Sequence, residues 1–131
     1  MVLVMVPANP AAASVGLPYT ATITYITGGS GGVGTPVFYT NSTAKICVKT
    51  NLSVTRNANN PASNDNRYVV KIIRDLLADR VDKTIPFTTS DDNYKVCVTG
   101  LDKNAAYFAK WEKVKRVDQQ RLGGSGTITY S

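Results

Sequence analysis

Apolar and polar positions alternate through most of this chain. Pro18–Thr27 (PYTATITYIT) is rich in Thr, Tyr and Ile and predicts a strand, and Pro36–Tyr39 predicts a shorter one. Alternation is clearest in Ala44–Arg56 (AKICVKTNLSVTR). Lys45, Cys47, Lys49, Asn51, Ser53 and Thr55 fall on one face, and Ile46, Val48, Thr50, Leu52 and Val54 on the other. Asn57–Asn66 is dense in Asn, Pro and Ser and must turn. Arg67–Arg74 repeats the pattern, with Arg67, Val69, Lys71 and Ile73 opposite Tyr68, Val70 and Ile72. Joined by that turn, the two runs predict a long antiparallel hairpin. Asp75–Asp92 reads as a long connection, with a helical turn at Leu76–Val81 and a short strand at Thr84–Thr88 broken by Pro86. Asn93–Thr99 predicts another strand, with Lys95, Cys97 and Thr99 on one side and Tyr94, Val96 and Val98 on the other.

Lys103–Leu122 (KNAAYFAKWEKVKRVDQQRL) decides the fold class. As a strand it places charges on both faces from Lys110 to Arg116. As a helix it has Asp102 or Asn104 as N-cap, many strong helix formers and Gly123–Gly124 as a stop. Phe108, Trp111 and Val114 recur three residues apart, with Tyr107 and Leu122 nearby on the wheel. Thr127–Tyr130 closes the chain as a short strand. The expectation is an α+β fold in a single domain, residues 1–131. It has an antiparallel sheet of about five to six strands, a C-terminal α-helix and a final strand. One observation competes. Leu101 and Tyr107 stand six apart, the spacing of a tyrosine corner, which implies an all-β fibronectin-like sandwich with Tyr107–Val117 as a strand.

Charge sharpens the picture. All 15 Lys and Arg and all 9 Asp and Glu lie between Lys45 and Arg121, for a net charge of +6. A charge-free first third gives little solubility, so this segment is expected to be covered by its own core or by neighbouring subunits. The basic excess suits a polyanionic partner. With no histidine and two cysteines, His-based catalysis and Cys- or His-rich metal sites are excluded. Asp91–Asp92 is the one obvious acidic pair, in a loop, and suggests no acid–base site. The expectation is a non-enzymatic protein with no cofactor and no metal.

Gly29, Gly31 and Gly34 spell a GxGxxG after a strand, but Pro36 and a β-prone run follow where a dinucleotide site needs a helix. The longest apolar run, Val2–Val6, is far too short to span a bilayer, so no membrane partner is expected. The start, MVLVMVPANPAAAS, imitates the end of a secretory signal without its positive leader. A reducing compartment with free Cys47 and Cys97 is the default, and a disulfide between them is the reading if the chain is secreted.

If the three clear strands lie side by side, one surface carries Lys45, Lys49, Arg67, Lys71 and Lys95 among Asn51, Ser53, Thr55 and Thr99. Such a face can neutralise phosphates and hydrogen-bond bases and ribose. Tyr68, Tyr94 and Trp111 fall on apolar faces and read as packing residues.

Ser53–Arg56, the Asn-rich turn and Asn66–Lys71 (NRYVVK) resemble the central hairpin of the coat proteins of single-stranded RNA bacteriophages, the leviviruses. Thr99–Asp118 resembles the strand-to-helix passage of the permuted Acinetobacter-phage type. The likeness spans residues 36 to 131. It implies a homodimer with a continuous sheet, an icosahedral shell, and a genomic RNA hairpin on the inner face. It places Lys49, Asn51, Ser53, Thr55, Arg67, Val69, Lys71, Lys95 and Cys97 on the RNA, with Lys45 beside them. Helix packing across the dimer falls to Tyr107, Phe108, Trp111, Val114 and Leu122. The implied location is the virion, assembled in the bacterial cytoplasm. The rival expectation is a secreted bacterial β-sandwich serving as an adhesion or fibre subunit.

Overall fold

The computed structural model describes residues 14–28, 32–91 and 93–131. The described residues form nine strands: β1 Tyr19–Ile26, β2 Val33–Gly34, β3 Phe38–Tyr39, β4 Ile46–Arg56, β5 Arg67–Arg74, β6 Arg80–Thr88, β7 Tyr94–Val98, β8 Ala106–Lys113 and β9 Arg121–Thr129. One sheet runs β1-β9-β4-β7, the other β2-β8-β5-β6, with β3 also on β8. Every pairing is antiparallel.

The inward halves of the alternating strands meet between the sheets. The β1-β9-β4-β7 sheet contributes Ala21, Ile23, Ile46, Val48, Leu52, Leu122 and Ile128, and the other contributes Tyr68, Val70, Ile72, Ile85, Phe87, Tyr107, Ala109 and Trp111. Trp111, fully buried, lies across β9 where Gly126 leaves room for it. A Cβ at Gly126 would run into the indole Cζ2. The indole N–H donates to Thr50 Oγ1 at 3.1 Å, and the Tyr68 hydroxyl reaches the same oxygen at 3.3 Å. Thr50 thus serves two of the large core aromatics.

The α+β expectation is overturned. No helix covers Lys103–Leu122; the stretch is β8, a turn and the start of β9. Along β8, Tyr107, Ala109, Trp111 and Lys113 point in while Ala106, Phe108, Lys110 and Glu112 lie on the outer face. That period of two beats the three-residue spacing of Phe108, Trp111 and Val114, because each inward side chain finds the facing sheet. The charges on both faces begin where the strand ends. Asn104 takes a positive φ in a turn rather than capping a helix, and Gly123–Gly124 lie inside β9. The set expected to pack a helix is dispersed: Tyr107, Trp111 and Leu122 are core, Phe108 is half-buried on the outer face, and Val114 is exposed.

Three further expectations fail. β4 and β5 do not form a hairpin, because they lie in opposite sheets; β4 pairs with β7 and β9, and β5 with β6 and β8. Half of the Asp75–Asp92 connection is the single strand β6, which accommodates Pro86 at a sheet edge. Tyr94, expected to pack, is exposed.

Two antiparallel sheets agree with the all-β alternative. Tyr107 forms the corner that its spacing suggests: its hydroxyl accepts from the Asp102 N–H at 2.8 Å and donates to the Asp82 carboxylate at 2.5 Å. The topology departs from the immunoglobulin pattern at the last strand. β9 joins the sheet of β4, and β2 and β3 take the place beside β8. The signal-like residues 1–13, Gly29 and Gly31 of the glycine motif, and Asp92 lie outside the described residues.

Candidate binding cleft

The residues expected to face RNA are divided between the two outer faces of the sandwich. Lys49, Asn51, Ser53 and Thr55 on β4 and Lys95 and Cys97 on β7 share one exposed surface, with Lys45 half-buried just before it. On this face Lys49 pairs directly with Lys95, and Cys47 with Cys97. Arg67, Val69 and Lys71 are on β5, on the opposite outer face. Arg67 is held by Asp65 at 2.6 Å and Lys71 by Glu112 at 2.8 Å. The side chains expected to form one cationic surface are therefore separated by the core. Cys47 and Cys97 are disulfide-bonded, with Cα atoms 3.9 Å apart.

Among the described residues, a concavity lies between the β4–β5 loop (57–66) and the β8–β9 loop (114–120). Its volume is about 360 Å³, and its walls are Ala58, Asn59, Asn60 and Ser63 on one side and Lys115, Arg116, Val117 and Asp118 on the other. A smaller hollow of about 140 Å³ continues past Arg116 toward Thr27 and Arg121.

The first wall is shaped by asparagine chemistry. Asn64 Oδ1 accepts from the Ala58 N–H at 2.8 Å, while its amide donates to Asn57 Oδ1 at 2.9 Å. Asn60 caps the 3-10 turn Pro61–Ser63 by accepting from the Ala62 N–H at 3.2 Å. These local bonds replace the ladder bonds that a loop lacks. The second wall is backed by Gly28, whose φ of 91° and closeness to Arg116 leave no space for a side chain; a Cβ would lie 2.7 Å from Arg116 Cα.

Beneath the cleft the two loops are joined by a buried polar clamp. Lys113 ends β8 pointing inward; its Nζ donates to the Asp65 carbonyl at 2.5 Å and to Gln120 Oε1 at 2.8 Å. Gln120, also buried, accepts from the Asp65 N–H at 3.0 Å and donates to Asn66 Oδ1 at 2.9 Å. Burial lowers the Lys113 pKa, partly countered by the charge of Asp65. The Arg67 guanidinium holds the Asp65 carboxyl well below the usual carboxylate range. One ammonium and one carboxamide thus tie the two loops together at their ends.

Charge at this end is unspent. Among the described residues Arg67, Lys71, Arg74, Arg80 and Lys110 are held in ion pairs, whereas Lys115, Arg116, Arg56 and Arg121 have none. Arg121 stacks on the half-exposed ring of Tyr25 at 4.6 Å. Asp118 is the one acid in the cleft wall. No three Cys, Asp or Glu side chains cluster as metal ligands among the described residues.

Alternation marks ladder strands and leaves loop tips blank, so Asn59, Asn60, Ser63, Lys115, Arg116 and Asp118 carry no periodic signal. The density of Asn in 57–66 was a signal for one wall. The other wall was absorbed into the expected helix. Fold and site together define a disulfide-linked two-sheet sandwich with a cleft built from loops. Compared with known proteins, the chain matches no family model, no curated protein and no solved structure.

Proposed function

We propose that this chain is a secreted, non-enzymatic adhesion module that contacts its target through the loop-end cleft. The observation that carries the reading is the cleft itself, an open hollow between two loops fastened by Lys113 and Gln120 and bordered by unpaired cations. Binding loops at one end of a rigid sandwich are a recurrent way of separating recognition from folding. The Cys47–Cys97 disulfide supports an oxidising compartment, since such bonds are rare where thiols are kept reduced. The RNA-binding shell is not carried forward. It needed a C-terminal helix and one continuous cationic face, and the fold has neither.

The test is retention of the purified chain on immobilised cell-surface polysaccharide, compared with Ser63→Trp. Ser63 is exposed at the cleft wall, so the indole fills the hollow without disturbing the core. The variant is expected to keep the wild-type thermal midpoint and lose retention. Absence of retention for the wild type, or equal retention by the variant, overturns the reading.

A further inference from the structure

Resting on the reading of the cleft as the contact site, we propose that its target is an acidic oligosaccharide, a run of polyhydroxylated rings bearing carboxylate or sulfate groups. The two walls differ in chemistry, and both are needed by such a ligand. Asn59, Asn60 and Ser63 present neutral amide and hydroxyl groups that donate and accept together, as pairs of sugar hydroxyls require. The Asn60 side-chain Oδ1 accepts from the Ala62 N–H, which leaves the side-chain N–H₂ to donate. Lys115 and Arg116 face them with charge that nothing in the described fold neutralises. Ala58 on one wall and Val117 on the other add apolar lining for the C–H face of a ring.

Size and composition argue against other anions. A hollow of about 360 Å³ is at the small end of organic-ligand sites, where a ring or two fits and an extended helix or duplex does not. No aromatic side chain lines it, so nucleobases lack the stacking platform worth ~1–3 kcal/mol per base. A bare phosphate or sulfate would leave the neutral wall unused and would meet Asp118, which can instead accept from a hydroxyl. The clamp ties the two loops together at their ends, which lowers the ordering cost left for binding.

The test is titration calorimetry of the full chain with tri-galacturonic acid, the neutral trisaccharide of galactose and tri-glutamate peptide. The acidic trisaccharide is expected to bind, weaken with added salt, and exceed both other probes by roughly tenfold or more, the loss that follows from one charge-assisted contact. Lys115→Ala/Arg116→Ala is expected to lower that affinity by at least the same factor, and Asn59→Ala to lower it without changing the salt dependence. Lys103→Ala, at the opposite end, is expected to change nothing. Equal binding of the neutral sugar overturns the acidic assignment while leaving the cleft as the contact site. Equal binding of the peptide overturns the saccharide assignment. No binding by any probe, or binding untouched by the double substitution, overturns this inference; whether retention on polysaccharide then survives, and is lost in Ser63→Trp, decides the broader reading separately.

Discussion

At the residue scale, Thr50 shows how much a single hydroxyl can carry. It lies on the inward face of β4, where the alternation places it, yet it is polar and almost fully buried. Its oxygen accepts from Trp111 and Tyr68, and its own proton goes to the Ser125 carbonyl at 3.3 Å. Thr50→Val keeps the shape and strands an indole N–H and a phenol. Each such orphan costs about 1–3 kcal/mol, so the urea midpoint should fall markedly, whereas Thr50→Ser, which retains the hydroxyl, should lose much less. Sequence pattern places Thr50 inside but is silent on its partners, because Trp111 lies 61 residues away and arrives through the packing of the opposite sheet.

Among the elements, β8 is the instructive one. Ala, Lys and Glu favour helix, and Ala105–Lys113 contains all three. What made it a strand is tertiary: β5 on one side, β2 and β3 on the other, and a facing sheet for Tyr107, Ala109 and Trp111. The outlines of β1, β4, β5 and β7 were legible because their alternation is local. That β4 pairs with β9 and not with β5 was not legible, since no local signal reports a partner some 70 residues away.

The buried end of β8 also gives a pH dependence. Lys113 has its folded-state pKa depressed by burial below the ordinary lysine value of 10.5. Between the two values the unfolded chain holds a proton that the folded chain has released, so this group makes stability rise with pH as the solution approaches that value. Urea midpoints followed from neutral to alkaline pH should therefore climb in the wild type relative to Lys113→Met. The buried hydroxyls of Tyr68 and Tyr107, raised by desolvation, act in the opposite sense above pH 10 but equally in both proteins.

For the whole molecule, the balance of sheets, cleft and disulfide matters more than any element. Alternating runs fit two sheets as well as one sheet with a helix, and in the strand pattern only the Leu101–Tyr107 spacing favours the sandwich. The cleft was the least legible feature, because it exists only where residues 57–66 and 114–120 converge. Cys47 and Cys97 enclose a long loop, with a sequence separation of 50. Closing such a loop in the unfolded chain stabilises a protein by ~2–4 kcal/mol. Urea unfolding with and without reductant should differ by that amount, and a difference near zero would show that the bond adds nothing.

The same bond sets how the chain behaves under tension. A force applied to its two termini can straighten the segments on either side of the Cys47–Cys97 link, but the stretch enclosed by it stays slack. At full extension that stretch amounts to roughly 170 Å of length that a single-molecule pull would gain only after reduction. A tether anchored to a moving surface would thus have a built-in limit to its reach, leaving β5 and β6, inside the loop, shielded from direct load even when the outer strands have peeled away.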